Sequence, residues 1–250
     1  MAHINRKILG SIKGRIGDVV FRERNGKVIV FSRPKKYKKT KSQKLKNERK
    51  KFATVVKLAN IIKNSTDLYS IWEKSDLPGS NAYQKIIKNN LKLTNNVDLS
   101  INNILLPPGI DIQLNLLNTE RSNNNITEIK LELEFENAHK SLFESATIYS
   151  LFYKIDNSPA QTNLERFHFN ESKINQNKED KKYIINIPVN IKLNKNCNLI
   201  GLFCVVSEKR NHKIYWTSTK GIKIIWNRNL IINLLTNPFI EIKFMQLPFY

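Results

Sequence analysis

The side chains able to do acid–base, nucleophilic or metal chemistry are few and scattered. The four histidines, His3, His139, His168 and His212, stand apart, and none meets another ligand type at the i,i+4 spacing of one helical face. His168 shares an expected strand with Arg166 and reads as a surface strand residue. Cys204 and His212 could form a nucleophile–base couple. Cys204, however, lies in the most apolar stretch of the chain, where burial raises a thiol's pKa and suppresses the thiolate. Glu132, Glu134 and Glu136 recur at every second position, so a strand puts three carboxylates on one face, a pattern compatible with calcium binding or acid–base work. Lys130 shares that face and no Asp-x-Asp-Gly loop accompanies it, so it reads as a solvated sheet face. Gly10, Gly14 and Gly17 lack the Lys-Ser/Thr ending of a phosphate-binding loop and the Gly-x-Gly-x-x-Gly dinucleotide spacing. They read as turn residues. Cys197 and Cys204 make neither a disulfide framework nor a zinc site, and their odd separation places them on opposite faces of one strand. The expectation is a non-enzymatic protein with no catalytic residue, no metal and no cofactor.

One constellation remains, and it is electrostatic. Residues 1–63 hold 20 Lys/Arg against three acids (Asp18, Glu23 and Glu48), net +17, whereas the other 187 hold 22 against 18, net +4. The densest run is Arg33, Lys35, Lys36, Lys38, Lys39, Lys41, Lys44, Lys46, Arg49, Lys50 and Lys51. A localised basic field suits a polyanion, through phosphate neutralisation and counterion release. Lysine outnumbers arginine in the run, which argues against bidentate base readout, and Tyr37 is its only aromatic, so it carries no stacking platform. Binding through this run is expected to follow the phosphate backbone and to tolerate any sequence.

The elements that must position these residues fall into two kinds. Asp18 to Arg33 reads as a β-hairpin around Asn25-Gly26, because a two-residue type I′ turn needs positive φ at both central positions. Val19 and Phe21 share a face of its first strand; on the second, Val28 and Val30 lie opposite Ile29 and Phe31. Pro34 ends the hairpin by removing a ladder donor. Ser42 is placed to cap a helix reaching about Lys63, with Leu45, Phe52, Val55, Val56, Ala59 and Ile62 as its apolar stripe. A short helix around Leu68 to Glu73 follows. Pro78-Gly79 breaks the chain, and Ser80 can cap a further helix from Asn81 to about Lys92, with Ala82, Tyr83, Ile86 and Ile87 inward.

From Val97 the period becomes two. Ile129, Leu131, Leu133 and Phe135 alternate with charged residues, and Tyr183, Ile185, Ile187, Val189 and Ile191 do so most clearly. Leu199 to Val206 is continuously apolar, as in a central strand buried on both faces. The expected fold class is α+β: an N-terminal β-hairpin with two or three helices, then an all-β immunoglobulin- or fibronectin-III-like sandwich. The expected domains are a basic hairpin–helix module at 1–95, a sandwich at 96–228 and a C-terminal tail or edge strand at 229–250.

Gly10-x-x-x-Gly14-x-x-Gly17-x-Val19-Val20, the Gly26-Lys27 turn, Arg33-Pro34-x-Lys36 and the helix opening at Ser42-Gln43 resemble an uncharacterised protein family of Bacteroidota. Ile71-Trp72, Gly79-Ser80-Asn81-Ala82-Tyr83 and Lys88-Asn89-Asn90 extend the resemblance over about residues 1–92. Arg22-Glu23-Arg24 departs from the aromatic–basic dipeptide often found in that family's first strand. The resemblance implies a basic N-terminal module followed by a β-rich half, and no activity.

The functional expectation is a structural or assembly protein that packs against copies of itself or within a larger protein assembly, with the basic hairpin, loop and helix as an alternative surface for nucleic acid or another polyanion. No 18-residue apolar run occurs, so no membrane span is expected. Met1 to Gly17 lacks the apolar core and cleavage site of a signal peptide, so the cytoplasm is the default location, with incorporation into a larger particle also compatible.

Overall fold

The structure is a computed structural model that describes residues 2–4, 14–24, 26–33, 42–122, 125–143, 145–155, 166–174, 182–192, 197–208, 213–225 and 233–234. Among the described residues the fold is α+β, with three helices and open, mostly antiparallel sheets. The chain divides into two compact units, Met1–Lys46 and Asn47–Tyr250.

The first unit holds a four-stranded antiparallel sheet of order β1-β4-β3-β2, built from β1 (Ala2–Ile4), β2 (Gly14–Ile16), β3 (Val19–Arg24) and β4 (Lys27–Ser32). Arg24 pairs with Lys27, so the β3–β4 hairpin closes over two residues, and Gly26 has φ +74°. Asn25 lies outside the described residues. The β2–β3 connection is equally tight: Ile16 pairs with Val19, and Gly17 has φ +59°, the positive value that the first position of a II′-type turn requires. The Arg33 N–H donates to the Asp18 carbonyl at 2.7 Å, which continues the pairing one step past β4.

The second unit is layered. Helices α1 (Gln43–Asn64, whose first turn carries the division between units), α2 (Thr66–Lys74) and α3 (Ala82–Leu93) lead into β5 (Gln113–Ser122), β6 (Asn125–Glu134), a 3-10 turn (Asn137–Leu142), β7 (Thr147–Ile155), β8 (Phe167–Lys173), β9 (Lys182–Lys192), β10 (Asn198–Glu208), β11 (Ile214–Trp216), β12 (Lys220–Ile225) and β13 (Asn233–Leu234). One sheet has the order β5-β6-β9. The other runs β13-β12-β10-β7-β8, with β11 also on β10.

Strand parity explains the layering. Leu199, Phe203 and Val205 of β10, with Ile148 and Phe152 of β7, face a core shared with Leu131, Leu133, Ile185 and Ile187 of the three-stranded sheet. Ile200, Leu202, Cys204 and Val206 of β10, with Tyr149, Leu151 and Tyr153 of β7, face a second core formed with Leu58, Ile62, Leu68, Ile71, Trp72 and Ile86 of the helices. A strand buried on both faces must be apolar throughout, and Leu199 to Val206 meets that demand. The division between cores also separates the thiols. Cys197 lies in the sheet–sheet core and Cys204 in the helix–sheet core, and both are buried without a disulfide. Position 95, where the sequence suggests a boundary, lies inside this unit, and the helices before it share their core with β7 and β10.

Buried polar groups join the helices to the loop that follows α3. Asn90 and Asn103 are buried, and Asn90 Nδ2 donates to the Ile104 carbonyl at 3.0 Å while its Oδ1 accepts from the Ile104 N–H at 2.8 Å. Asn103 Nδ2 donates to Asn90 Oδ1 and Thr94 Oγ1, which ties the end of α3 to the following loop. The Trp72 indole N–H donates to the Leu105 carbonyl at 2.8 Å. The cap of α3 is Asn81 rather than Ser80: Asn81 Oδ1 accepts from the Gln84 N–H at 2.9 Å, and the Ser80 hydroxyl bonds the Gln84 side chain instead.

Candidate interaction surfaces

The two faces of the N-terminal sheet differ in chemistry, and the register says how. Val19 pairs with Ile16 and Ser32, and Phe21 with Gly14 and Val30, while Glu23 pairs with Val28. Directly opposed residues share a face, so Ile16, Val19, Phe21, Val28 and Val30 form an apolar side. Val28 is the only buried side chain among those of residues 14–23 and 26–33, whereas Ile16 is 65% and Val19 38% exposed. Val20 pairs with Arg15 and Phe31, and Arg22 with Ile29. The reverse face therefore combines Arg15, Arg22 and Lys27, all exposed, with half-buried Val20 and Ile29 and with Phe31, 37% exposed. Arg15 Nε donates to the Gly17 carbonyl at 2.6 Å, which anchors that side chain at the turn.

Helix α1 presents a second basic surface. Its first buried residue is Val55; the run from Gln43 to Lys50 is exposed and Lys51 is half-buried. Leu45 (49% exposed) and Phe52 (50% exposed), which the periodicity places in the apolar stripe, face solvent because the core they point along starts one turn later. Lys44, Lys46, Arg49 and Lys50 are exposed with them, and Glu48 is the one acid between Lys44 and Lys57. The helix has no acid in its first turn, so these cations add to the positive end of the helix dipole.

Of the residues singled out in the sequence, Arg33 is exposed at the end of the hairpin, while Lys35, Lys36, Lys38, Lys39 and Lys41 lie outside the described residues, as does Gly10. Gly14, with φ +119°, opens β2. Arg15, Arg22 and Lys27 escaped the sequence reading because they are not consecutive. The signal for them was the two-residue turn, which fixes the register and thereby the face of every hairpin residue.

In the second unit, Tyr149 Oη donates to Asp67 Oδ2 at 2.6 Å, and Tyr153 Oη to Asp98 Oδ1 at 2.5 Å. Burial first, then the carboxylate partner, holds both phenols well above their ordinary pKa. Arg166 reaches Asp98 at 3.4 Å, and Lys57 is held below its usual value by burial and by the charge of Arg166. Burial also pushes the Cys204 thiol up. Asp111, Glu134 and Glu136 line a shallow cleft of about 140 Å³ with Ile112, Gln113 and Phe135, where Lys220 pairs with Asp111 at 2.6 Å. Among the described residues no three His, Cys, Asp or Glu side chains are placed to hold a metal ion, and no helix is long and apolar enough to cross a membrane. His168 is half-buried on β8; His212 lies outside the described residues.

Compared with protein-family models, curated proteins and solved structures, the chain matches none significantly. The resemblance to the Bacteroidota family rests on its motifs alone.

Proposed function

We propose that the protein is a non-enzymatic assembly subunit that associates with further copies of itself through the apolar face of its N-terminal sheet. The observation that carries this reading is that the described residues of the N-terminal sheet leave its apolar face largely uncovered. Five apolar side chains share one face, one of them is buried, and the described residues of Met1–Lys46 supply no second layer. A sheet with one apolar face is stable when that face is buried against another layer, and a like face offers a matching one. The cations of the sheet lie on the reverse side, so face-to-face packing keeps them apart.

The strand order of the second unit supports a fibronectin-III-like reading of its two-sheet core. The three strands β5-β6-β9 face β8-β7-β10-β12, with the chain crossing between sheets at β6–β7, β8–β9 and β9–β10 in Greek-key fashion. Such modules commonly serve as packing and spacing units, and here one outer sheet face is given over to the helices.

Light scattering on nuclease-treated protein tests the assembly reading. An oligomer that persists at 500 mM salt, and that Ile16→Asp with Val19→Asp converts to monomer, is the expected result; a monomer at 100 µM wild-type protein refutes it. A second reading, sequence-tolerant binding of a polyanion, is favoured by the exposed basic half of α1, where Lys44, Lys46, Arg49 and Lys50 stand against Glu48.

A further inference from the structure

The cations on the reverse face of the N-terminal sheet form a line. Arg15 on β2, Arg22 on β3 and Lys27 on β4 each sit one strand over and one pair further along than the last. With strands about 4.8 Å apart and alternate residues about 6.8 Å along a strand, each step of this diagonal is about 8 Å. Val20, Phe31 and Ile29 fill the area on one side of the line, with Phe31 opposite Val20 and Ile29 opposite Arg22. No acid shares this face among its described residues, since Glu23 belongs to the apolar side.

We infer that this face binds single-stranded nucleic acid, its phosphates following the Arg15–Arg22–Lys27 diagonal and its bases lying over Phe31 and the flanking Ile29 and Val20. The inference rests on the polyanion reading and gives it a site separate from α1. Charge complementarity selects the ligand class. Two of the three cations are arginines, whose planar guanidinium forks match phosphate oxygens, and Arg15 is already oriented by its bond to Gly17. The aromatic ring beside the line is what a single strand uses and a duplex, with its bases paired inward, does not. Hydrogen bonding to base edges plays no part, so the site tolerates sequence.

Fluorescence anisotropy of labelled 20-nucleotide oligo(dT) and of a 20-base-pair duplex, with the full chain, tests the inference. Arg22→Gln with Lys27→Gln is expected to flatten the dependence of log affinity on log salt for oligo(dT) by about 1.4, two phosphate contacts at about 0.7 each. Phe31→Ala should weaken oligo(dT) about tenfold and leave duplex binding unchanged, a split that mere loss of charge or of folding does not produce. Circular dichroism checks that each variant is folded. If both variants bind oligo(dT) as the wild type does, this site is wrong while polyanion binding through α1 stands. If the wild type binds neither nucleic acid at 50 mM salt, both readings fall. Binding to phosphatidylserine vesicles that depends on Arg22 and Lys27, without binding to oligo(dT), also overturns the inference.

Discussion

At the scale of single residues, the close packing of the second unit makes the sharpest expectations. A Cβ on Gly221 would lie well within van der Waals contact distance of the Ile101 carbonyl oxygen, a backbone atom that cannot swing away as a side-chain tip can. Gly221→Ala is therefore expected to cost about 2–3 kcal/mol, as overpacked cores do, read as a lower urea midpoint at unchanged slope. The two buried phenols set a pH dependence. Their pKa is higher folded than unfolded, so the folded state holds the proton more tightly; that stability is complete below the unfolded value of about 10 and is lost as pH rises past it toward the folded value. Wild-type protein should lose more stability between pH 9 and 11 than the Tyr149→Phe/Tyr153→Phe double variant, and equal losses would show that these phenols do not control the alkaline limb. The Cys204 thiol, raised by burial in the helix–sheet core, should stay unreactive to a thiol reagent until denaturant is added.

At the scale of elements, α1 behaves as two helices in one. From Val55 on, its stripe is buried in the helix–sheet core; before that, exposed Leu45 and Phe52 gain nothing from burial within the described chain. Isolated helical turns are marginal without tertiary contacts, so amides of residues 44–53 should exchange with solvent much faster than those of 55–63. Phe52→Glu should change stability by less than about 0.5 kcal/mol, whereas Ile62→Ala should cost about 2–5 kcal/mol, and similar costs for the two would show that the first half is packed. The same helix shows where the sequence was readable. Periodicity locates the helix and its stripe, but nothing in a period says where the facing surface ends, so the stripe runs on through Leu45 and Phe52, which the structure leaves exposed. Long alternating strands such as β9, and the doubly buried β10, were plain because burial on one face or two leaves its own pattern. The three-residue strands β1 and β2 are too short for any period, and β2 exists because the tight Gly17 turn folds it onto β3. The basic diagonal was hidden for a different reason: it is contiguous only across strands, and only the register reveals it.

At the scale of the whole molecule, charge and stability are divided between the units. Met1–Lys46 has 15 Lys/Arg against two acids, and Val28 is the one buried side chain among residues 14–23 and 26–33. Asn47–Tyr250 has 27 Lys/Arg against 19 acids, a far lower charge density, and both hydrophobic cores. Folding free energy comes chiefly from buried apolar surface, and self-repulsion among like charges opposes compaction, so the second unit should hold nearly all the stability of the chain. Deleting residues 1–41 is then expected to leave the thermal midpoint within about 4 °C of the wild type, since for a domain of this size about 1 kcal/mol moves the midpoint by about 2–4 °C. The same deletion should abolish self-association and lower oligo(dT) affinity, because it removes both faces of the N-terminal sheet. A deletion variant that unfolds far earlier would mean that the first unit contributes to the core of the second; one that unfolds as before yet still self-associates would move assembly to the sheets of the second unit.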